Sequence, residues 1–261
     1  MTQLVEIRDL NIRFTGERIV HAVNNLSLSL GDGEVLGLLG ESGSGKSVTL
    51  RALMRLLPNK RTQISGHIEV LGRDVLALQD EALSAFRGQT VSMIFQEPAL
   101  ALACKPKILL ADEPTTALDA TVQIQILLLL RELQRAFGMS VIFVTHDIGV
   151  AIEICDRVAV MYAGEIVEQA PLREIVRSPV HPYARGLLAA TVHGAKRGAR
   201  LETIPGTPPS LDKVPASCSF ALRCAFAQGR CVDQRPPNFQ VGPNRIVRCI
   251  LAEEASIVAN Y

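Results

Sequence analysis

The chain has 261 residues of which 48% are hydrophobic, enough to fill the core of one large domain or two smaller ones and to exclude a chiefly disordered protein. Twenty-seven Lys and Arg against 26 Asp and Glu leave a net charge of +1, so the basic footprint of a nucleic-acid binder is missing and no nucleic-acid partner is expected. No apolar stretch approaches the roughly 20 residues that span a bilayer, and the opening MTQLVEIRDL carries charges where a signal peptide is apolar. The expectation is a cytoplasmic chain that meets a membrane only through a partner.

Residues 4–10 and 22–30 read as strands, the second alternating as VNNLSLSL before the turn Gly31-Asp32-Gly33, and together they predict a small antiparallel edge sheet. Residues 34–39 (EVLGLL) form a short apolar run of buried-strand type. Residues 40–47 (GESGSGKS) then fit the phosphate-cradling pattern GxxxxGK[ST] without a mismatch. Gly40, Gly43 and Gly45 let the backbone curl so that the N–H groups of Glu41, Ser42, Ser44 and their neighbours turn toward phosphate oxygens. Lys46 supplies a positive charge for the β and γ phosphates of a nucleoside triphosphate, and the Ser47 hydroxyl a ligand for Mg²⁺. The helical spacing of residues 48–57, opening at Val48 and ending before Pro58, places this loop at a helix N-terminus, the arrangement that binds anions.

Further along, residues 66–71 predict a strand, 80–86 a helix, and 91–95 (VSMIF) a strand leading to Gln96. Residues 107–111 (KILLA) are strand-like and deliver Asp112 and Glu113 to the carboxyl edge of the sheet, where ligands of such folds bind. There Asp112 is placed to hold Mg²⁺, and Glu113 to orient or deprotonate the water that attacks the γ-phosphate. Residues 120–137 predict a long helix closed by Gly138, 141–145 (VIFVT) a buried strand followed by His146, and 157–169 a hairpin turning at Ala163-Gly164. Strands alternating with helices imply an α/β fold, a phosphate-loop NTPase parallel sheet flanked by helices.

These residues resemble the ATP-binding-cassette (ABC) ATPases that energise membrane transporters. The resemblance implies a Q-loop glutamine at Gln96, a Mg²⁺ ligand together with Ser47 and Asp112, a D-loop at Ala117-Leu118-Asp119, and a switch histidine at His146 that contacts the γ-phosphate. Phe14 stands where the family stacks an aromatic on adenine, a place an ordinary core phenylalanine fills equally well. Within the family, ADEPTTALDATVQ and SPVHPYARGLLAA resemble the oligopeptide and dipeptide importer subgroup, which also contains nickel importers. This implies a nucleotide-binding domain over residues 1–170 and a C-terminal extension over 171–261 that begins near His181-Pro182-Tyr183 and continues through a proline-rich stretch. It also implies ATP and Mg²⁺ as ligands, and a peripheral place on the cytoplasmic face of the inner membrane. The partners implied are a second ABC ATPase subunit, as a heterodimer, two membrane permease subunits and a substrate-binding protein.

Cys218, Cys224, Cys231 and Cys249 cluster in the extension, whereas Cys104 and Cys155 lie scattered in the ATPase part. Four thiols in a reducing compartment suggest metal, but the spacings lack the CxxC pairs of ordinary zinc modules. Iron–sulfur, zinc and buried free thiols all remain open on the residues alone. Resemblance to importers that carry a 4Fe-4S cluster on such a set favours iron–sulfur.

One departure from the family pattern stands out. Gln96 and Asp112 are 16 positions apart (112 − 96), where the family carries a helical subdomain with an LSGGQ-like signature, and no LSGGQ-like sequence occurs anywhere in the chain. The helical subdomain is therefore expected to be missing between about 99 and 103. In the family two subunits sandwich two ATP molecules, each between one subunit's phosphate loop and the other's signature, so this chain offers half of each site. Three readings follow: a peptide-importer ATPase subunit impaired by the loss, with nickel as the alternative substrate; a nucleotide-binding remnant without transport activity; or a non-transport ABC ATPase of the DNA-maintenance kind, against which the HPY segment, the cysteine cluster and the neutral charge argue.

Overall fold

The structure, a computed structural model, describes residues 2–94, 105–116, 118–190, 203–214 and 216–253. Gln96, Ala117 and the junction at 99–103 lie outside the described residues.

Two sheets form the frame. The first is four-stranded and antiparallel in the order β2-β1-β4-β5, from β1 (Gln3–Phe14), β2 (Val20–Gly31), β4 (Thr62–Val70) and β5 (Arg73–Asp74). It is larger than the two-strand sheet expected, because β1 pairs on both sides, with β2 from Phe14↔Val20 and with β4 from Phe14↔Thr62. Val5 and Ile7, then Leu10 and Ile12, are buried with polar residues between them, the period-2 pattern of a half-buried strand, interrupted by a register shift at Arg8-Asp9.

The second sheet has eight strands in the order β11-β12-β10-β9-β3-β8-β7-β6. Its parallel part comprises β3 (Val35–Leu39), β6 (Val91–Ile94), β7 (Ile108–Asp112), β8 (Ser140–Thr145) and β9 (Arg157–Tyr162). Their central residues are mostly apolar because both faces of the sheet are covered, and polar ones such as Asp112, Ser140, Thr145 and Arg157 sit at strand ends. Leu36, Leu38, Leu110, Ile142, Val144, Ala159 and Met161 point toward the antiparallel sheet and α1 (Lys46–Leu53). Their neighbours Val35, Leu39, Leu109, Ala111, Val141, Phe143, Val158 and Val160 point to the opposite core, under α3 (Ala120–Phe137) and α4 (Ile148–Ile154). A further helix, α2 (Asp80–Ala85), lies where the spacing of 80–86 predicts one.

Local chemistry sets most boundaries. Helix α3 spans the predicted residues 120–137; the Asp119 carboxylate caps it by accepting from the N–H groups of Thr121 and Val122, and Gly138 ends it at φ 61°. Helix α1, by contrast, stops at Leu53, short of the expected residue 57, because Arg55 takes a left-handed conformation (φ 50°) that cannot continue the helix. The predicted hairpin is β9 with β10 (Glu165–Pro171), turning through Ala163 (φ 47°) and Gly164 (φ 84°) as the expected two-residue turn requires.

The C-terminal extension is joined to this frame. After β10 come α5 (Leu172–Arg177), α6 (Pro182–Ala189), α7 (Gly229–Asp233) and a hairpin of β11 (Phe239–Gly242) with β12 (Arg245–Val247). Strand β12 pairs antiparallel with β10, so the extension completes the large sheet. Glu168, fully buried on β10, anchors the join: it accepts from Arg245 Nη2 at 2.6 Å and from the backbone N–H of His181 at 2.7 Å. The buried His181 caps α6, its Nδ1 accepting from the N–H of Tyr183 at 3.0 Å.

Candidate nucleotide site

The parallel strands β3, β8 and β7 lie side by side and end together at Leu39, Thr145 and Asp112. The chain leaving each end therefore contributes to one cleft, the carboxyl-edge position of ligand sites in such sheets. From β3 comes the glycine loop. Gly45, at φ 104°, is the N-terminal flank of α1, and a Cβ there would lie 2.4 Å from the Ala22 carbonyl oxygen. Gly43, at φ 78°, has open space around it on the cleft side.

Lys46 is buried, and its Nζ donates to the carbonyl oxygens of Gly40 and Glu41, both at 2.8 Å. Burial lowers its pKa, while Glu113, Asp112 and Glu41 oppose that by stabilising the cation. Ser47 Oγ donates to Asp112 Oδ1 at 2.8 Å, so the hydroxyl and carboxylate expected to share a Mg²⁺ already touch. Glu113 adopts φ 49°, unusual for a residue with a side chain, and its N–H donates to Val144 O at 3.0 Å. Glu113 Oε2 accepts from Thr116 Oγ1 at 3.0 Å and lies 3.3 Å from His146 Nδ1. A cleft of about 280 Å³ opens between Phe14, Ser42, Gly43, Gly45, Lys46, Ser47, Val48 and Glu113. Phe14 lines this cleft and packs partly buried on the core.

Phosphate loop, Ser47, Asp112, Glu113, His146 and Phe14 are thus brought together. Sequence reasoning missed two groups that reach the loop from the extension: Tyr183, whose hydroxyl accepts from the Glu41 N–H at 2.8 Å, and Arg223, which pairs with the Glu41 carboxylate. Neither carried a signal beyond the subgroup's HPY triplet, since the contacts span 142 and 182 residues. The Glu41 N–H, expected to turn toward the phosphates, is thus committed to the extension instead.

The four clustered cysteines lie in one neighbourhood. Burial pushes the Cys249 thiol up to about 11 and raises those of Cys218 and Cys224. Gln228 N–H donates to Cys231 Sγ at 3.4 Å, and the Cys218 N–H to Cys231 O at 2.9 Å. Among the described residues no three His, Cys, Asp or Glu side chains converge closely enough to share a single metal ion. Cys155 belongs elsewhere, buried on the main sheet against Gly37.

A glycine loop at the mouth of a parallel sheet, flanked by a strand-end carboxylate pair, defines a phosphate-loop NTPase. The family model described as ABC transporter matches residues 23–101, and that described as oligopeptide/dipeptide transporter, C-terminal region, matches 167–231. The oligopeptide transport ATP-binding protein OppD of Salmonella typhimurium is 38% identical over 313 positions, covering 94% of this chain and 93% of that protein. The probable D,D-dipeptide transport ATP-binding protein DdpD of Escherichia coli K12 is also 38% identical, over 88% of this chain and 92% of its own length. Solved folds agree. A dimeric bacterial ABC transporter cassette superposes with a TM-score of 0.58 at 24% identity, over 65% of this chain and 99% of that one. For cbiO1 of Clostridium perfringens, part of an ABC transporter complex, the TM-score is 0.60 at 21% identity, over 68% and 92%. This chain belongs to the ABC transporter ATP-binding proteins of the oligopeptide/dipeptide type, and it is an ATPase of that family. The alignment to the Salmonella protein exceeds the length of this chain, so at least 52 of its positions (313 − 261) have no counterpart here. Among the described residues no helix is long and apolar enough to cross a membrane.

Proposed function

We propose that this chain is the ATP-binding subunit of an importer that takes peptides across the cytoplasmic membrane, working from its cytoplasmic face with a second ATPase subunit, two permeases and a substrate-binding protein. The observation that carries this reading is the convergence of the phosphate loop with the Ser47–Asp112 and Glu113–His146 pairs in a chain whose 167–231 segment is of the oligopeptide transporter type. In this reading the loop amides and Lys46 bind the triphosphate, and Ser47, Asp112 and Gln96 hold Mg²⁺. Glu113, fixed by Thr116 and facing His146, takes a proton from the attacking water, and His146 contacts the γ-phosphate. Phe14 stacks on the base at the cleft wall.

The ABC transporter match ends at residue 101, inside the junction at 99–103, and at least 52 positions of the Salmonella relative are unmatched. Both support loss of the helical subdomain and with it the LSGGQ-like signature. A homodimer then lacks both signature contacts, and turnover depends on a partner that supplies one. ATP turnover should be very slow for the chain alone and rise when a full-length partner subunit is added. A mixed complex in which Lys46→Ala leaves turnover unchanged would remove this chain's site from the reaction. Equal, negligible turnover in both preparations would favour the nucleotide-binding remnant.

The four cysteines of the extension would hold a 4Fe-4S cluster, with a structural role. Four cysteines gathered in one neighbourhood, with Gln228 N–H donating to Cys231 Sγ, match the four-thiolate ligand set of such a cluster. Iron and acid-labile sulfide in anaerobically purified protein, about four of each per chain, is the expected result; zinc in their place refutes it.

A further inference from the structure

We infer that the C-terminal extension positions the phosphate loop, through Arg223 and Tyr183 acting on Glu41, so that nucleotide affinity is set partly from outside the cassette. The inference rests on the nucleotide-binding reading of that loop.

Glu41 is the second residue of the glycine loop, and three of its groups are committed. Its carbonyl oxygen accepts from Lys46 Nζ at 2.8 Å, within the loop. Its N–H donates to the Tyr183 hydroxyl at 2.8 Å, from α6. Its carboxylate takes both terminal nitrogens of Arg223, Nη1 to Oε2 at 2.8 Å and Nη2 to Oε1 at 3.0 Å, the bidentate geometry of a strong pair. Two of the three tethers come from the extension.

Arg223 is itself held rather than draped over the surface. Its side chain is 6% exposed, lies over the rings of Tyr162 and Phe220, and donates from Nε to Pro205 O at 2.8 Å. The Tyr162 ring packs in turn against Tyr183, tilted by 55° with centroids 4.6 Å apart. The guanidinium also sits one residue before Cys224, in a turn closed by the Arg223 N–H to Phe220 O and the Cys224 N–H to Ala221 O. The loop that carries the cysteines therefore also carries the cation that faces the phosphate loop.

The chemistry follows from the charge of Glu41. A carboxylate in a loop built to receive a polyphosphate repels its ligand unless it is neutralised, and Arg223 does this while fixing the carboxylate's direction. The group is a positioning residue: it acts on the bound phosphates through Glu41.

The test is the affinity for Mg²⁺-ATP, measured by calorimetry on the full chain as wild type, R223Q, Y183F and the double variant E41Q/R223Q. Expected is an affinity about tenfold weaker in R223Q, because the Glu41 carboxylate loses its counter-charge beside the triphosphate, and a weakening of about threefold in Y183F for the lost hydrogen bond. E41Q/R223Q should return to within about threefold of wild type, because the neutral amide no longer needs a counter-charge. A merely structural role for Arg223 predicts no such rescue. If wild type binds and R223Q and Y183F bind equally well, or if the double variant stays as weak as R223Q, the inference is wrong. A wild-type chain that binds no Mg²⁺-ATP overturns the nucleotide reading itself, and this inference with it.

Discussion

The phosphate loop contains two glycines whose replacement by alanine should differ for a reason visible in the fold. Both have positive φ, 78° at Gly43 and 104° at Gly45, so alanine at either position is strained by about 1–2 kcal/mol. At Gly43 that is the whole cost to folding, because nothing lies within 4 Å of the added Cβ. At Gly45 the Cβ would sit 2.4 Å from the Ala22 carbonyl oxygen and 2.7 Å from Met161 Cε, and the first of these is backbone of β2 that cannot rotate away. Relieving such an overlap adds about 1–3 kcal/mol. The two variants should therefore differ by about 2 kcal/mol, which for a chain of this size is about 4–8 °C in Tm. Thermal unfolding without nucleotide, followed by circular dichroism, measures this. Equal shifts for Gly43→Ala and Gly45→Ala, or a larger one for Gly43→Ala, would refute the packing argument.

Two more outcomes concern the join between cassette and extension. Burial, and secondarily Arg185, lowers the His181 pKa from 6.5 to about 3, so in the folded state the ring stays neutral while the unfolded chain takes up a proton. The unfolded state then binds more protons between about pH 6.5 and 3, and stability falls as pH drops through that window. From pH 7.5 to 5.5 the loss from this residue is about 1 kcal/mol; urea titrations should show it in wild type and not in His181→Asn, and identical pH slopes would count against it. Arg245→Ala leaves the Glu168 carboxylate, 0% exposed, with backbone N–H donors but no counter-charge, and should cost about 3–5 kcal/mol by urea unfolding. A loss below about 1 kcal/mol would mean that the pair does not anchor β12 on β10.

The apolar runs 35–39, 108–111 and 141–145 were legible as buried strands because both faces of a parallel sheet are covered, and continuous hydrophobicity is the direct trace of that burial. Helix α3 was legible to its last residue because Gly138 is a local stop signal. The end of α1 was not, since Arg55 breaks the helix by a backbone conformation that no residue preference demands. Helix α4 and the hairpin β11–β12 escaped notice for a different reason: both are short, and each is stabilised by packing against distant chain rather than by its own periodicity.

The site divides in the same way. Glycines, Lys46 and Ser47 announce a phosphate loop from eight consecutive residues, because backbone curvature and cation placement are local requirements. That Ser47 meets Asp112, that Glu113 meets His146, and that Glu41 is held by Tyr183 and Arg223 depend on which strands lie side by side. Strand order is a property of the whole packed sheet. Eight consecutive residues suffice to announce a triphosphate-binding loop; that the far C-terminal extension holds this loop emerges only from the packed fold, because a contact across 182 residues leaves no periodicity for a local reading to find.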